Sequence, residues 1–214
     1  MKCCLAAVAL VLAGCGSAPP VPDWQANAHG ALQAAVAATL NGNTRVADAE
    51  MARARSEIGR TGQPALLARA ELVRCAAQVA SLDLAGCPGY EAVAADAQPA
   101  ERAYAAYLYG RAQAADVALL PVQHQGVARG GTSVEGLQDP LARLVAAAVL
   151  LQRGALAPAG MVAAGDTASA QGWRRPLLAW LGVQPRAAQA AGDAGGAAQL
   201  RRRMDLVAGE GAMR

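Results

Sequence analysis

The chain has 214 residues, of which 54% are hydrophobic, and its formal net charge is +3. About a quarter of the residues are alanine, the best helix former, while phenylalanine is absent and aromatic residues total 3%, which argues against a sheet-rich fold. Lys2 is the only lysine among 19 basic residues, which leaves 18 arginines against 16 acidic residues and argues against bulk nucleic-acid binding. Because no lysine follows Lys2, catalysis by a lysine further along the chain is excluded as well. The composition therefore predicts an all-α fold.

Residues 1–14 have the pattern of a secretory signal, with a basic start at Lys2, an apolar run over residues 5–12 and small residues before a cleavage site. The run is much shorter than the ~20 residues that a membrane-spanning helix needs. A spanning helix and an ordinary cleaved signal with an incidental Cys15 are the alternative interpretations. The motif Leu12-Ala13-Gly14-Cys15 resembles the lipobox of bacterial lipoproteins.

The resemblance implies that residues 1–14 are a lipoprotein signal peptide and that Cys15 is the lipid-attachment residue and the first residue of the mature chain. Two or more acyl chains hold a protein stably on a bilayer, so an acylated Cys15 would suffice as the membrane contact. An Asp directly after the cysteine favours retention in the inner membrane, whereas Gly16-Ser17 follows here. We therefore expect a lipid-anchored protein of the cell envelope, at the outer membrane and on its periplasmic face.

Residues 15–23 are rich in proline and have little to bury, which predicts a flexible tether. Residues 24–214 are then expected to form one helical domain, with a candidate subdomain break near residues 126–138. Because aromatic residues are few, the core has to come from many small Ala, Leu and Val contacts between closely approaching helices.

Apolar residues at helical spacing predict a first hairpin over residues 24–40 and 46–58, with Asn41-Gly42-Asn43 as its turn. Pro64 opens the next helix, which is expected to end near residues 81–84. Further predicted helices begin at Pro99, Pro140 and Pro176, and the last pair covers residues 187–191 and 197–207. Asp139 precedes Pro140 and is suited to accept the free amides at the start of its helix.

The hairpin over residues 28–59 resembles a tetratricopeptide repeat. Its small, turn and apolar positions are occupied by Ala35, Gly42, Ala47, Met51 and Ala54. A weaker match begins at Gly192, and no clean period of ~34 residues connects the two, whereas a stacked array usually needs at least three repeats. Two architectures stay open on this evidence, a degenerate repeat stack and an irregular helical bundle.

Three of the five cysteines, Cys3, Cys4 and Cys15, belong to the leader and the lipid site. Cys75 and Cys87 are left in a compartment that permits disulfides, and the intervening segment is long enough to fold back, so we predict a bridge between them. Two free thiols are the alternative. A metal site is not expected, because two sulfurs without a nearby histidine fall short of four ligands.

The chain has two histidines, His29 and His124. No metal-protease motif or paired-carboxylate pattern accompanies them, so catalysis is the minority interpretation. Residues 126–133 are glycine-rich but lack the lysine of a phosphate-binding loop, and residues 131–136 narrowly miss a nucleophile elbow. Both are interpreted as one flexible surface loop. An enzymatic site, if present, is expected near residues 124–136, from His124, Ser133 and Glu135.

Several further side chains are candidates for a docking surface or for simple structural roles. Two arginine clusters lie in the C-terminal part of the chain, and solvated helix faces are the preferred interpretation of both. Tyr104 and Tyr107 are one helical turn apart, as core or groove-lining residues often are. The three tryptophans fit either a core or an anchor role. These residues are Arg174-Arg175, Arg201-Arg202-Arg203, Tyr104, Tyr107, Trp24, Trp173 and Trp180.

Taken together, the sequence favours a lipid-anchored helical module that binds an envelope protein or peptide, without cofactor, metal or nucleic acid. An envelope enzyme with a site near residues 124–136 is the alternative. A pilotin-like escort, which carries another outer-membrane component to its destination, is a third reading that sequence does not separate from the first.

Overall fold

The computed structural model describes residues 21–190 and 192–209, and within them the side chains of all residues except 186–188. The described part is helical throughout and contains no strand, which confirms the predicted all-α fold. The predicted signal peptide, Cys15 and the tether up to residue 20 lie outside the described residues.

The helices follow one another with short connections. Two 3₁₀ helices, Ala94–Asp96 and Ala114–Leu119, flank α5. The α-helices are α1 (Asp23–Leu40), α2 (Thr44–Gly59), α3 (Pro64–Ala80), α4 (Pro88–Glu91), α5 (Pro99–Leu108), α6 (Val122–Ala128), α7 (Pro140–Gln152), α8 (Pro158–Ala170), α9 (Arg174–Ala190) and α10 (Ala194–Ala208).

Local signals account for most of these boundaries. Pro64, Pro99 and Pro140 occupy the first turn of α3, α5 and α7, where a missing N–H has no cost. Asp139 Oδ1 accepts a hydrogen bond from the Ala142 amide at 2.6 Å, so the predicted cap of α7 is present. Helices α6 and α8 were not predicted, because Gly126, Gly160 and Gly165 weaken their helical pattern.

The predicted short helix over residues 187–191 is wrong as a separate element. α9 continues through Pro185 as far as Ala190, so residues 187–190 are the end of α9, and residue 191 lies outside the described residues. A proline inside a helix removes one backbone donor and usually kinks or ends the helix, which is why the sequence suggested a break. Here the helix is packed on both sides, against α8 and α10.

α7 occupies the centre of the molecule. It buries Ala142 and every residue from Leu144 to Leu150, so it is apolar around most of its circumference. α3 packs against α7, and the chain then continues outward from α7 through α8 and α9 to α10. The hairpin of α1 and α2 packs on the other side of α3. The main hydrophobic cluster includes residues on both sides of the candidate subdomain break near residues 126–138.

Small side chains make the close helix contacts that the composition demands. In the α1–α2 hairpin, Ala35, Ala47, Met51 and Ala54 are all buried, as their positions in the hairpin require. The resemblance of this hairpin to a tetratricopeptide repeat stays a prediction, since the hairpin alone does not establish a repeat.

A disulfide and a side-chain hydrogen bond connect α3 to other parts of the chain. Cys75 and Cys87 form a disulfide with their Cα atoms 5.5 Å apart, which ties α4 to α3, as predicted. Trp180 is fully buried, and its indole Nε1 donates to the Ala80 carbonyl at 3.0 Å, joining α9 to the end of α3. In residues 21–190 and 192–209, no helix combines the length and the apolar character that crossing a membrane requires.

The turn between α1 and α2 depends on Gly42, which has a positive φ of 81°. The Asn43 amide donates to the Ala38 carbonyl at 2.8 Å and the Gly42 amide to the Thr39 carbonyl at 3.1 Å. This pair of bonds is the Schellman motif, which ends a helix with a left-handed residue. The backbone angle, and not a lack of space, therefore selects glycine here.

We predict that Gly42→Ala lowers the free energy of unfolding by about 1 kcal/mol, because a side chain in the left-handed region is strained. The matched control is Gly30→Ala, since Gly30 lies within α1 and a Cβ there meets no atom within 4 Å. This variant should raise the free energy of unfolding by about 0.5 kcal/mol, through helix propensity. Urea denaturation measures both, and a stabilising Gly42→Ala would contradict the proposed role of the turn.

Candidate functional site

α1 carries apolar residues on two faces. The buried residues of α1 are Ala28, Ala31, Ala35 and Ala38 over most of the helix, with Thr39 and Leu40 at its end. The other face carries the larger side chains Leu32 and Val36, which are only partly buried. Both side chains pack against the buried clusters and keep part of their surface exposed, so this second face has apolar surface left for a further contact.

The second face of α1 forms one wall of a depression of about 460 Å³. Its α1 residues follow the spacing i, i+3, i+4, i+7, i+8 and i+11, which places them on a single stripe of the helix. Val73 of α3 and Trp173, just before α9, form the opposite wall. The lining residues are His29, Leu32, Gln33, Val36, Ala37, Leu40, Val73 and Trp173.

A second depression, of about 420 Å³, lies on the other side of Val73, between α3 and α5. It is also mainly apolar, but one ion pair lies in its wall. The lining residues are Arg69, Leu72, Val73, Ala100, Glu101, Tyr104, Leu119, Leu120 and Pro121. Because Val73 lines both depressions, we treat the two as one surface, called here the Val73 groove.

Exposed apolar side chains accompany the groove. Val73 is 37% exposed and Leu119 44% exposed, and Val122 projects from the surface directly after Pro121. Contiguous exposed apolar surface of this kind often marks a site of interaction with another molecule. The groove is shallow and lies between helices, which is the form of surface that receives a segment of a partner protein.

The ion pair in the α3–α5 depression joins Arg69 to Glu101. Arg69 Nη2 lies 2.7 Å and Nε 2.8 Å from the same carboxylate oxygen, Oε1. Glu101 is only 5% exposed, whereas the Arg69 side chain is 66% exposed. The second oxygen, Oε2, is buried and has no hydrogen-bond partner among the described residues.

His124, a predicted catalytic candidate, is buried in an aromatic cluster. Its ring centroid lies 4.8 Å from that of Tyr107 and 5.6 Å from that of Tyr104. Burial lowers the pKa of His124 to about 4, and the charge of Asp139 opposes this shift only in part. Burial likewise raises the pKa of both tyrosines. At neutral pH the cluster is uncharged and packs as part of the core.

The residues of the predicted enzymatic site are not brought together. Ser133 Oγ accepts a hydrogen bond from the Glu135 amide at 3.2 Å, and both residues are exposed, whereas His124 is buried. Gln125 and Arg129 are among the residues that line the depression beside α6. His124, Ser133 and Glu135 do not line it. Residues 126–128 of the predicted surface loop belong to α6. Within the described residues, no three His, Cys, Asp or Glu side chains group as metal ligands would.

The arginine clusters have partly structural roles. Arg174 donates to the Val207 and Ala208 carbonyls, both at 3.1 Å, and so caps the end of α10. Arg175 lies 3.6 Å from Asp83. Arg201 and Arg202 are exposed on α10, consistent with a solvated helix face.

The aromatic candidates divide between the core and the groove. Tyr107 and Trp180 are core residues, whereas Tyr104 and Trp173 line the Val73 groove. Trp24 is half-buried near the start of α1. His29 lies on the exposed part of the stripe that faces the groove.

Sequence reasoning did not identify the centre of the groove. Val73 reads as one more apolar residue of α3, and Arg69 and Glu101 are 32 residues apart on different helices. The α1 stripe was the available signal, since its spacing is visible in the sequence and its side chains are larger than those of the opposite face.

Comparison of the chain with models of known protein families, with curated proteins and with solved structures found no match.

We predict that the free energy of unfolding falls as the pH decreases from 6.5 towards 4. In the unfolded chain His124 takes its ordinary pKa near 6.5, so between these values the unfolded state binds more protons than the folded state. The loss from His124 should total about 3 kcal/mol. His124→Phe, which keeps a ring against the two tyrosines, should remove most of this pH dependence.

Urea denaturation at a series of pH values measures the effect. His124→Gln serves as a second variant that does not titrate but lacks the ring, so it should flatten the same part of the profile while lowering stability at pH 7. A wild-type slope between pH 6.5 and 4 that both variants retain would contradict the assignment to His124.

Proposed function

We propose that this protein is a lipid-anchored envelope protein that acts as a helical interaction module and holds a segment of a partner protein in the Val73 groove. Cys15 carries the lipid in this proposal, and the body lies at the periplasmic face of the outer membrane. The observation that carries the docking part is the meeting of two mainly apolar depressions at the exposed Val73.

The distribution of side-chain size supports a docking role for the groove. α1 uses its alanines for the internal contact and keeps Leu32 and Val36 at the groove. An apolar partner side chain that covers this surface gains roughly 25 cal/mol for each Å² removed from water. Grooves between helices receive either a helix or an extended segment of a partner protein.

The proposed anchor keeps the groove near the membrane. α1 begins at Asp23, eight residues after Cys15, and a fully extended chain of this length spans at most about 29 Å. Partners embedded in the same membrane or attached to it are then within reach of the groove. A pilotin-like escort is a special case of this function, in which the partner depends on the module for its location.

The groove proposal predicts site-specific crosslinking in living cells. A photo-crosslinking residue placed at position 36, 73 or 119 should capture the same envelope protein, because all three positions lie in or beside one surface. Val162 on α8 is the matched control, an exposed valine outside the groove (48% exposed) that should not capture it. Mass spectrometry identifies the captured protein.

Val73→Asp should then weaken binding of the purified partner about tenfold or more, since a charge would be buried in the apolar contact, whereas Val162→Asp should not. Equal capture from position 162, or unrelated proteins from the three groove positions, would contradict the proposal. Mislocalisation of the partner in cells that lack this protein would identify the escort form of the function.

The anchor proposal predicts that Cys15→Ser abolishes labelling by an alkyne fatty acid and moves the protein from the membrane fraction to the soluble periplasmic fraction. The matched control replaces Cys3 and Cys4 by serine, which should change neither result, because both residues leave with the signal peptide. Membrane association of Cys15→Ser at the wild-type level, with its leader removed, would overturn lipid anchoring through Cys15.

A further inference from the structure

The two buried glutamates of α3 and α5 are satisfied to different extents. Glu71 is 4% exposed and receives two separate bonds from Arg55, with Nε on Oε1 and Nη2 on Oε2 at 3.0 Å. Glu101 is buried to the same extent, but both contacting nitrogens of Arg69 lie on Oε1. Its Oε2 is left without a donor from the described residues.

A buried carboxylate oxygen without a hydrogen bond is unfavourable, since the bond to a charged acceptor that it forgoes is a strong one. The Arg55–Glu71 pair shows that this chain can supply hydrogen bonds to both oxygens of a buried glutamate. The incomplete pair is the one that lines the Val73 groove. The residue with the free acceptor therefore belongs to the wall of the groove, although Oε2 itself is not exposed.

Access to Oε2 depends on Arg69. Oε2 itself is not exposed, so binding there requires a small shift of the Arg69 side chain, which is 66% exposed, while its guanidinium stays paired with Oε1. Leu72 and Tyr104 line the same depression and supply its apolar and aromatic walls. The ligand thus meets an apolar depression with one acceptor and one guanidinium group in its wall.

The charge of the pair limits the chemistry of the ligand. Because Arg69 already neutralises Glu101, a cationic group gains attraction from one partner and repulsion from the other. A neutral amide suits both, since its N–H can donate to Oε2 while its carbonyl accepts from the guanidinium. Beyond the first turn, the amides of a helix are already paired, whereas every residue of an extended segment can offer a free main-chain amide.

We propose that the α3–α5 part of the Val73 groove recognises an extended peptide segment of the partner, with an aliphatic side chain in the depression and a main-chain amide on the Arg69–Glu101 pair. The inference rests on the proposed docking function and adds the chemistry that the partner presents. Arg69 and Glu101 are then specificity residues of the groove.

The test uses the full-length protein in phospholipid nanodiscs, without detergent, and two probes that differ by one donor. 4-Methylpentanoic acid N-methylamide keeps the isobutyl group of leucine and has a single amide hydrogen, and the corresponding N,N-dimethylamide has none. Methyl-group NMR follows Leu72 and Val73 during the titration. We expect saturable shifts with the methylamide and about tenfold weaker binding of the dimethylamide, the loss of one hydrogen bond to a charged group.

Glu101→Gln should remove the difference between the probes, because its amide can place an N–H where Oε2 accepted. Glu71→Gln is the matched control, a buried glutamate outside this depression, and should leave the difference intact. The wild-type comparison of the two probes decides the matter without either variant, so a poorly folded Glu101→Gln does not prevent a conclusion.

Equal binding of the two probes at Leu72 and Val73 would overturn amide recognition and leave the groove as a purely apolar surface. Shifts at neither residue would overturn it as well. In both cases crosslinking from position 73 judges the docking function independently, so failure of this inference is distinguishable from failure of the proposed function.

Discussion

Close packing of small side chains around α7 is the constraint on which the other helices depend. α7 is buried nearly all round, and a helix of this kind needs neighbours on every side. Alanines on α7 and α3 allow those neighbours to approach closely, which replaces the area that large aromatic residues would supply in another core. Dispersion contacts accumulate over many such pairs, so the core forms without phenylalanine.

The difference in side-chain size between the two faces of α1 contributes to the groove. Over most of its length α1 packs inside the protein through alanine, and only Leu40 at its end is a long buried side chain. Leu32 and Val36 keep part of their surface at the groove, so the surface between α1, α3 and α5 is apolar but not filled.

The polar groups inside the protein show a parallel division. Trp180, Thr39 and Ser81 direct their polar atoms to backbone carbonyls, and Glu71 is satisfied by Arg55. His124, Tyr107 and Glu101 are different, since each keeps a buried polar atom without a described partner, the Tyr107 hydroxyl lying in the same core cluster as His124. His124 does so inside the core, where its low pKa keeps it neutral, whereas Glu101 does so in the wall of the groove. Burial is therefore similar for the two, and their positions give them different roles.

The sequence by itself determined the helical class, most helix boundaries and the disulfide pair. Proline in a first turn, the Asp139 cap and the Asn41-Gly42-Asn43 turn are local signals, because they act through backbone groups within one helical turn. Cys75 and Cys87 were identifiable because few other cysteines remained to pair. The continuation of α9 through Pro185 could not be predicted from these local signals, because α9 packs against two other helices, α8 and α10.

Only the tertiary structure decided which helix faces meet. It placed His124 in the core, whereas Ser133 is exposed. It gave Glu71 hydrogen bonds at both carboxylate oxygens and left Glu101 Oε2 without a partner among the described residues. It also brought Arg69 to Glu101 and set both beside Val73. The reason is physical: helix formation depends on neighbours three and four residues apart, whereas a groove depends on the space that remains after separate helices have packed.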